Sequence, residues 1–432
     1  MFRIMTRILP IVLAIAMLMA LPTSLLASPA RQAQQTLKVW HYEPPDSAMG
    51  ISWDGVIKDF QAKYPNVKVE FELKQFEQIR ATANMILNSD EAPDVMELNK
   101  GNAFAGLYSK EGLLTDLTQV AKDKGWDKIM SPSVQTTCLY DEKGIMGSGK
   151  LYGVTNYGEF VMVYYNKAMF DKYKVKLPTT LDELEAIADT FHAAGITPFA
   201  LGAKEYPSTQ LFYELALYKA NRDFVTNYQL LKGELDFHGP EFTYAADKVV
   251  DYVKKGYVDK VSTGLTGQEM ANLFISGKTP MVLTGSWFYA QWTTQIKDFE
   301  WGIFLMPGKK LNTGSGGNLW VVPAKAKNKD MAYEFINMTL DKKAQTAMAN
   351  AGGIPINADL TQIKDAKVQD LNKTFATVVE NDGLSFYPDW PAPGYYDVLV
   401  ANLQELIGGT KTPKDFLDAI AAPYNEYKAT LK

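Results

Sequence analysis

The sequence has very little cysteine and histidine. Cys138 is the one cysteine, and the three histidines, His41, His192 and His238, are far apart along the chain. No intrachain disulfide is therefore possible, and neither a CxxC pair nor an HExxH motif occurs. We expect no metal site.

Nucleotide-binding motifs are incomplete. "GIMGSGKL" (144–151) has the spacing of a phosphate loop, but Leu151 replaces the Ser or Thr that would bind magnesium. In "TGSGGN" (313–318) the third glycine of a dinucleotide loop is replaced by Leu319. The GxSxG motif is absent as well. We therefore expect no cofactor, and no enzyme activity is indicated.

Positive charge is not concentrated anywhere in the chain. Lysine and arginine total 44 against 49 aspartates and glutamates, and no basic run alternates with aromatic residues. This balance argues against a nucleic-acid partner and against binding to an anionic membrane surface.

The N-terminal residues have the order of a secretory signal peptide. Arg3 and Arg7 precede an apolar run over 8–21, and small residues follow up to Ala27 and Ala30. The run is shorter than the roughly 20 residues that span a bilayer. We predict that segment 1–30 is a signal peptide cleaved after Ala27 or Ala30. Because no cysteine near this point could carry a lipid anchor, we expect a free periplasmic protein.

The rest of the chain alternates strand and helix patterns. Strand-like "LKVWHY" (37–42), "VKVEFEL" (67–73) and "PDVMEL" (93–98) are separated by amphipathic helical patterns, which is typical of a parallel sheet. Strands return at 160–166, 279–285 and 301–307, after or around long helical stretches. About 400 residues also exceed the size of one hydrophobic core. We predict an α/β fold of two discontinuous lobes joined by a multi-strand hinge, with a ligand cleft between them.

The positions of the aromatic residues indicate what the cleft binds. "YPDWPAPGYY" (387–396) contains three prolines, which exclude a helix or a central strand and predict a stiff surface loop. Trp287, Trp320 and Trp390 each lie beside glycine or proline, where core packing does not require them. Such rings stack on the apolar face of a sugar, while carboxylates and amides bind its hydroxyl groups. Trp53, Phe60, Phe191, Phe335 and Trp301 are instead expected in the core.

Several stretches together carry a family resemblance. The chain resembles the carbohydrate-binding members of the extracellular solute-binding proteins that serve ABC transporters. The matching stretches are "FQAKYPNVKVEFE", "APDVMELN", "GKLYGVTNYGEFVMVYYNKAMFDKY", "LPTTLDELEAIADTF", "FISGKTPMVLTGSWFYAQW", "GGNLWVVPAKAKNKDMAYEFINMTL" and "GGIPIN". They cover nearly all of the chain after the signal peptide, in the order that the family has them.

The resemblance implies a monomer that captures a carbohydrate between its lobes and delivers it to a membrane permease. Lobe 1 would comprise 36–156 with 304–342, and lobe 2 would comprise 157–303 with 343–432. The chain would cross between them at 154–160, 302–307 and near 340–344. Carried over position by position, the ligand-binding residues are His41, Tyr42, Glu43, Asn99, Tyr157, Glu159, Glu205, Tyr206, Trp287, Gly317, Asn318, Trp320, Trp390 and Tyr396.

Two alternatives stay open at this point. A receptor for a non-sugar solute, such as a polyamine or a metal chelate, would use the same fold with a more charged cleft. A secreted glycoside-active enzyme would need two carboxylates on either side of the bound sugar, and any two acids of the sequence could meet in space.

Overall fold

The structure is a computed structural model that describes residues 35–431. The predicted signal peptide therefore lies outside the described residues. In chain order the strands are β1 (Gln35–His41), β2 (Val67–Leu73), β3 (Val95–Leu98), β4 (Leu139–Tyr140), β5 (Lys150–Leu151), β6 (Val154–Thr155), β7 (Gly158–Asn166), β8 (Phe199–Ala200), β9 (Met281–Gly285), β10 (Trp301–Phe304), β11 (Gly314–Gly316) and β12 (Leu319–Val321).

Helices form most of the remaining regular structure. They are α1 (Ala48–Lys63), α2 (Phe76–Leu87), α3 (Leu107–Lys110), α4 (Thr118–Lys124), α5 (Trp126–Ile129), α6 (Pro132–Gln135), α7 (Lys167–Tyr173), α8 (Leu181–Ala193), α9 (Pro207–Ala216), α10 (Arg222–Leu230), α11 (Pro240–Lys254), α12 (Gly267–Ile275), α13 (Tyr289–Gln295), α14 (Lys329–Thr339), α15 (Lys342–Asn350), α16 (Ala366–Glu380), α17 (Tyr395–Gly408) and α18 (Pro413–Ala429). One turn of π-helix, Asn102–Gly106, precedes α3. Within residues 35–431, no helix is both long and apolar enough to cross a bilayer.

The first sheet has the strand order β2-β1-β3-β12-β6. Strands β2, β1 and β3 are parallel, as the alternating strand and helix patterns predict. Strand β12 pairs antiparallel with both β3 and β6. The carboxyl ends of the parallel strands therefore meet at one edge, which is where open α/β sheets bind ligands.

The second sheet is built around β7, whose nine residues are almost entirely buried. Its order is β10-β7-β9-β8, and β11 pairs with the first residues of β7. The chain enters this sheet directly from the first, because only Asn156 and Tyr157 separate β6 from β7. The two sheets thus lie in separate parts of one chain, and the chain passes from the first to the second within residues 154–160.

The later crossings differ from the predicted positions. Strand β11 still belongs to the second sheet, so the chain returns to the first sheet at Gly317 and Asn318 rather than at 302–307. Helix α15 still packs on α1, where Ser52 Oγ donates a 2.8 Å hydrogen bond to the carbonyl of Ala344. The last crossing therefore follows α15 instead of lying near 340–344. The second crossing differs because β11 is a short strand of small residues, which a hydrophobic pattern does not reveal.

The core contains the aromatic residues expected there. Trp53 on α1 packs against Trp320 and Phe71, and Phe60 packs against Phe335 on α14. These rings fill the layer between the first sheet and its helices. Phe191 and Trp301 are also buried, in the half of the chain that holds the second sheet.

Candidate functional site

A cavity of about 230 Å³ lies between the carboxyl edge of the first sheet and the elements around β7 and β9. Its lining residues come from both halves of the chain, as a cleft between two lobes requires. They are Tyr42, Glu43, Pro44, Phe76, Asn99, Glu159, Tyr206, Thr209, Gln210, Gln268, Trp287, Phe288, Gln291, Asn318, Tyr387, Asp389, Trp390 and Tyr396.

Strand ends of the first sheet place the polar side chains on one wall. Tyr42 and Glu43 follow β1, Asn99 follows β3, and Asn318 precedes β12. Parallel strands bring their carboxyl ends to the same edge, so residues far apart in sequence face one cavity.

The opposite wall is formed by strand and helix starts of the other half. Glu159 lies on β7, and Trp287 follows β9. Tyr206 precedes α9, whose first turn carries Thr209 and Gln210. Helix α12 brings Gln268 to the cavity. It begins at Thr266, where Thr266 and Glu269 form a reciprocal capping box that fixes the first turn.

Aromatic rings form a continuous arc along the cavity. Each ring centre lies 5.0–6.4 Å from the next, in tilted or edge-on geometry. In order along the arc they are Tyr42, Phe76, Tyr206, Trp287, Tyr387 and Trp390. The arc crosses from the first half of the chain to the second between Phe76 and Tyr206.

A buried ion pair lies behind the arc. Lys100 Nζ is 2.7 Å from Glu159 Oε1 and 3.0 Å from Asn318 Oδ1. The same ammonium group lies 5.0 Å from the ring centre of Trp390 and 5.8 Å from that of Tyr387. Because both charges are almost fully buried, each depends on the other for its stability.

A second hydrogen-bond network holds the neighbouring polar groups. Glu97 is buried and accepts the backbone N–H of Tyr42 and, at 3.3 Å, the hydroxyl of Tyr157. The Tyr157 hydroxyl in turn accepts a 2.8 Å hydrogen bond from Asn318 Nδ2. Burial, reinforced by the charge of Glu43, raises the pKa of Glu97 well above its usual range. This network orients Tyr42 and Asn318 toward the cavity.

Two carboxylates of the lining have no cationic partner. Within the described part of the chain, neither Glu43 nor Asp389 takes part in an ion pair. Burial, with a further contribution from the charge of Glu159, raises the pKa of Glu43 to about 7. Burial also raises the pKa of Asp389 to about 7. Both groups are therefore available for hydrogen bonds to a ligand.

Further polar atoms of the lining, including those of Tyr42 and Gln210, are buried without a hydrogen-bond partner in the described chain. The hydroxyl of Tyr42 and Oε1 of Gln210 make no hydrogen bond to any of residues 35–431. Buried polar groups are normally paired, since leaving one unpaired costs roughly 1–3 kcal/mol. Both residues line the cavity, so a bound ligand is positioned to supply the missing partners.

Residues 387–392 are buried between the halves, which corrects the prediction of a surface loop, while Pro393 is half-buried and Gly394 is exposed. Tyr387 and Trp390 are almost fully buried. The carbonyls of Tyr387, Pro388, Trp390 and Pro391 accept hydrogen bonds from Gln229, Tyr228, Ala103 and Asn102, respectively. The prolines contribute no N–H groups, so few backbone donors need partners and the loop can be buried at low cost.

Most of the residues predicted for the site line the cavity together. They are Tyr42, Glu43, Asn99, Glu159, Tyr206, Trp287, Asn318, Trp390 and Tyr396. Tyr157 contributes through its hydroxyl to the network behind the cavity and lines a smaller adjoining space of about 10 Å³.

His41 and Trp320 do not reach the cavity, which corrects their assignment as cleft residues. The His41 ring stacks on Phe71 at 3.9 Å, and burial lowers the pKa of His41 to about 4. Trp320 packs between Trp53 and Phe335. Both side chains lie on the helix-covered face of the first sheet. Side chains of a strand point to one or the other face of the sheet, so these two do not point toward the strand ends, where the cavity lies.

Gly317 and Glu205 also have structural roles outside the lining. A side chain at Gly317 would place its Cβ 2.2 Å from the ring of Tyr157, so the glycine permits a close approach at the crossing. Glu205 Oε2 accepts the backbone N–H of Gly267 at 2.8 Å and thereby caps α12 beside the cavity.

Sequence reasoning missed part of the lining. Tyr387 and Asp389 belong to the same loop as Trp390, and their proximity to it was the available signal. The glutamines on the helices, Gln210, Gln268 and Gln291, have no such signal, because a polar residue on an amphipathic helix is usually solvated. The other missed residues are Pro44, Phe76, Thr209 and Phe288.

Comparison with known proteins finds a family match over most of the chain. The family model described as bacterial extracellular solute-binding protein matches residues 46–346. A multiple sugar-binding protein of Streptococcus mutans is 23% identical, over 93% of this chain and 93% of its own length. A diacetylchitobiose binding protein of Streptomyces coelicolor is 24% identical, over 91% of this chain and 90% of its own.

Solved structures show the same fold at low identity. A chitin oligosaccharide binding protein superposes with a TM-score of 0.75 at 21% identity, covering 91% of this chain and 99% of the other. Maltose-bound MalE3 of T. maritima superposes with a TM-score of 0.73 at 17% identity, covering 90% and 99%. The two-lobed α/β architecture expected from the sequence is confirmed.

Proposed function

The chain belongs to the bacterial extracellular solute-binding protein family, and on that premise we propose that it captures a carbohydrate for an ABC importer. The sugar binds in the cavity between the lobes and is delivered to the membrane permease of the transporter. The observation that carries this proposal is the arc of aromatic rings from Tyr42 to Trp390, which lines a cavity that also holds carboxylates and amides.

Aromatic rings and polar groups of the cavity bind different parts of the sugar. The faces of Trp287 and Trp390 stack on the C–H faces of sugar rings. Glu43, Asn99 and Asp389 accept or donate hydrogen bonds at the hydroxyl rim. Because the arc presents several rings in succession, the cavity favours an oligosaccharide over a monosaccharide.

Closure of the lobes accounts for capture and release. Ligand contacts to both walls stabilise the closed state. The change in the free-energy difference between the open and closed states is set by the difference in ligand affinity between them. We propose lobe 1 as 36–156 with 304–342 and lobe 2 as 157–303 with 343–432. The pairing of β11 with β7 favours a second boundary closer to 317.

The remaining expectations follow from the family. We propose a periplasmic monomer that is exported by the signal peptide and cleaved after Ala27 or Ala30. The family and the relatives are binding proteins, and we propose binding without turnover. The continuous arc of rings favours a sugar over a polyamine or a metal chelate. Among the described residues, no group of three or more His, Cys, Asp or Glu side chains is arranged to hold a metal ion.

Thermal melting and intrinsic tryptophan fluorescence with a panel of mono- and oligosaccharides test the proposal. We expect one sugar to raise the melting temperature in a saturable manner. Trp287→Ala should weaken that sugar at least tenfold. Trp40→Ala is the matched control, since Trp40 is also partly buried but lies outside the cavity under Lys74, and it should bind normally.

The two possible negative results favour different alternative functions. If no sugar binds to the folded protein, a non-sugar solute becomes the better proposal. If sugar binds and is then consumed, the protein is an enzyme, and mutation of Glu43 or Glu159 should stop turnover while sparing binding.

A further inference from the structure

The cavity lining carries acidic side chains and no basic ones. Glu43, Glu159 and Asp389 line the cavity, whereas none of its described lining residues is Lys, Arg or His. A ligand therefore meets only carboxylates as formal charges. The polar groups that remain are uncharged amides and hydroxyls, which suit sugar hydroxyls of either hydrogen-bonding sense.

The nearest cations are already engaged. The ammonium group of Lys100 bonds to Glu159 and Asn318, and its side chain is only 1% exposed. The guanidinium group of Arg80 lies 4.4 Å from the ring centre of Tyr396 and pairs with Glu77 and Asp397. Neither cation is free to neutralise an incoming anion.

When ionised, Glu43 and Asp389 hold the unbalanced charge. Glu159 is neutralised by Lys100, but no ion pair within residues 35–431 neutralises the other two carboxylates. Each side chain is largely buried, so water screens its charge poorly. A negative group on the ligand would be desolvated beside them, and like charges brought together in this way oppose binding.

We infer that the cavity discriminates by charge: it accepts neutral or amine-bearing sugars and rejects sugars that carry a carboxylate, sulfate or phosphate, with Glu43 and Asp389 as the specificity-determining residues. This inference rests on the proposed carbohydrate function and adds the charge of the ligand to it. It does not depend on the identity or linkage of the sugar.

Calorimetric titration at pH 8.5, where Glu43 and Asp389 are ionised, with length-matched oligosaccharides of different charge tests the inference. Neutral gluco-, xylo- and chito-oligosaccharides and the amine-bearing chitosan oligosaccharides form one group, and oligogalacturonate and oligomannuronate of the same lengths form the other. We expect at least one member of the first group to bind, and each uronate to bind at least a hundredfold more weakly. A uronate that binds as tightly as the best neutral sugar would overturn the charge rule while leaving the carbohydrate function intact. If neither group binds the folded protein, the carbohydrate function fails and the charge rule fails with it.

Two isosteric variants test the assignment to residues. Glu43→Gln and Asp389→Asn remove one charge each with little change in volume. For each variant we expect the ratio of uronate to neutral-sugar affinity to rise about tenfold. Because it is a ratio, a general loss of binding cancels out of it. Glu185→Gln is the control, since Glu185 pairs with Lys248 outside the cavity, and it should leave the ratio unchanged. Unchanged ratios in both site variants would show that these residues do not set the charge preference.

Discussion

The ammonium group of Lys100 lies 2.7 Å from the carboxylate of Glu159, and this pair joins the two halves of the site. Lys100 follows β3 of the first sheet, and Glu159 lies on β7 of the second. The pair is buried beneath the rings of Tyr387 and Trp390. The charge of one lobe is thus satisfied by the other at the floor of the cavity.

Removing one member of this pair should lower the free energy of unfolding more than removing a surface charge does. Lys100→Met leaves Glu159 buried without a counter-ion, so we expect the free energy of unfolding to fall by about 3 kcal/mol. Lys58→Met, which breaks an exposed pair with Asp54, should change it by less than about 0.5 kcal/mol. Urea unfolding of both variants measures the difference. Equal effects would mean that the buried pair contributes no more than the surface pair.

Gln210 should affect stability and binding in opposite directions. Its Oε1 is buried without a partner in the described chain, so Gln210→Leu removes an unsatisfied group and should leave stability unchanged or raise it by about 1 kcal/mol. Sugar affinity should fall at least tenfold, because the ligand loses a hydrogen bond.

Gln229 provides the matched comparison for Gln210. It is equally buried and its Oε1 also has no partner in the described chain, but its Nε2 donates to the carbonyl of Tyr387 at 2.9 Å. Gln229→Leu should therefore destabilise the protein by about 1–3 kcal/mol. Thermal melting and calorimetric titration of both variants give the two readouts. A stability loss of the same size in Gln210→Leu would show that Gln210 is already paired.

Stability of the ligand-free protein should decrease between about pH 4.5 and pH 7. Burial raises the pKa of Glu43 to about 7, above its ordinary value of 4.5, so the folded state holds this proton more tightly than the unfolded state. Asp389 behaves in the same way. Both groups therefore favour folding when protonated, and this stabilisation is lost as pH rises toward the folded pKa, by up to about 3 kcal/mol for Glu43 and about 4 kcal/mol for Asp389.

Isosteric variants isolate this contribution. The charged and titratable groups that act on Glu43 are Tyr42, Glu97, Lys100, Tyr157, Glu159 and Tyr206, and those that act on Asp389 are Glu77, Arg80, Lys100, Tyr387 and Tyr396. Glu43→Gln should raise the melting temperature at pH 8 and have little effect at pH 5. Melting of the variant and of the unaltered protein at both values measures this, and a gain of equal size at pH 5 would contradict it.

The sequence was sufficient where local rules determine the outcome. Tyr42, Glu43 and Asn99, which the family resemblance implied for the site, line the cavity together, because residues that follow parallel strands meet at one sheet edge. The same rule does not distinguish a strand end from a strand interior one or two residues away. His41 was implied by the resemblance and Trp320 by its place after a double glycine, but both face the helices.

Contacts between residues far apart in the sequence could not be predicted from the sequence. Nothing near Lys100 indicates that its partner lies 59 residues later, or that both groups are buried. The loop 387–394 looked exposed because it is rich in proline. It can be buried because Gln229, Tyr228 and Asn102, which are distant in sequence, donate hydrogen bonds to its carbonyl groups. Such contacts depend on the packing of the two halves.

The final prediction concerns a contact between the two halves beside the cavity. Asp46, in the loop before α1, accepts hydrogen bonds from Gln291 at 2.9 Å and from Gln295 at 3.2 Å, and both glutamines lie on α13 of the other half. These bonds exist only when the halves are close, so they add to the stability of the closed state. They are exposed, and the expected contribution is about 1 kcal/mol or less.

Asp46→Ala should therefore weaken the sugar about three- to fivefold by raising the dissociation rate, while the association rate and the melting temperature of the free protein change little. Asp54→Ala is the control, because Asp54 is an exposed acid whose one side-chain partner among residues 35–431 is Lys58 on its own helix, and it should leave the dissociation rate unaltered. Stopped-flow tryptophan fluorescence measures both rates. A weakening that arises from a slower association rate would mean that Asp46 steers the ligand instead of holding the lobes together, since retention by closure acts on the complex after it has formed.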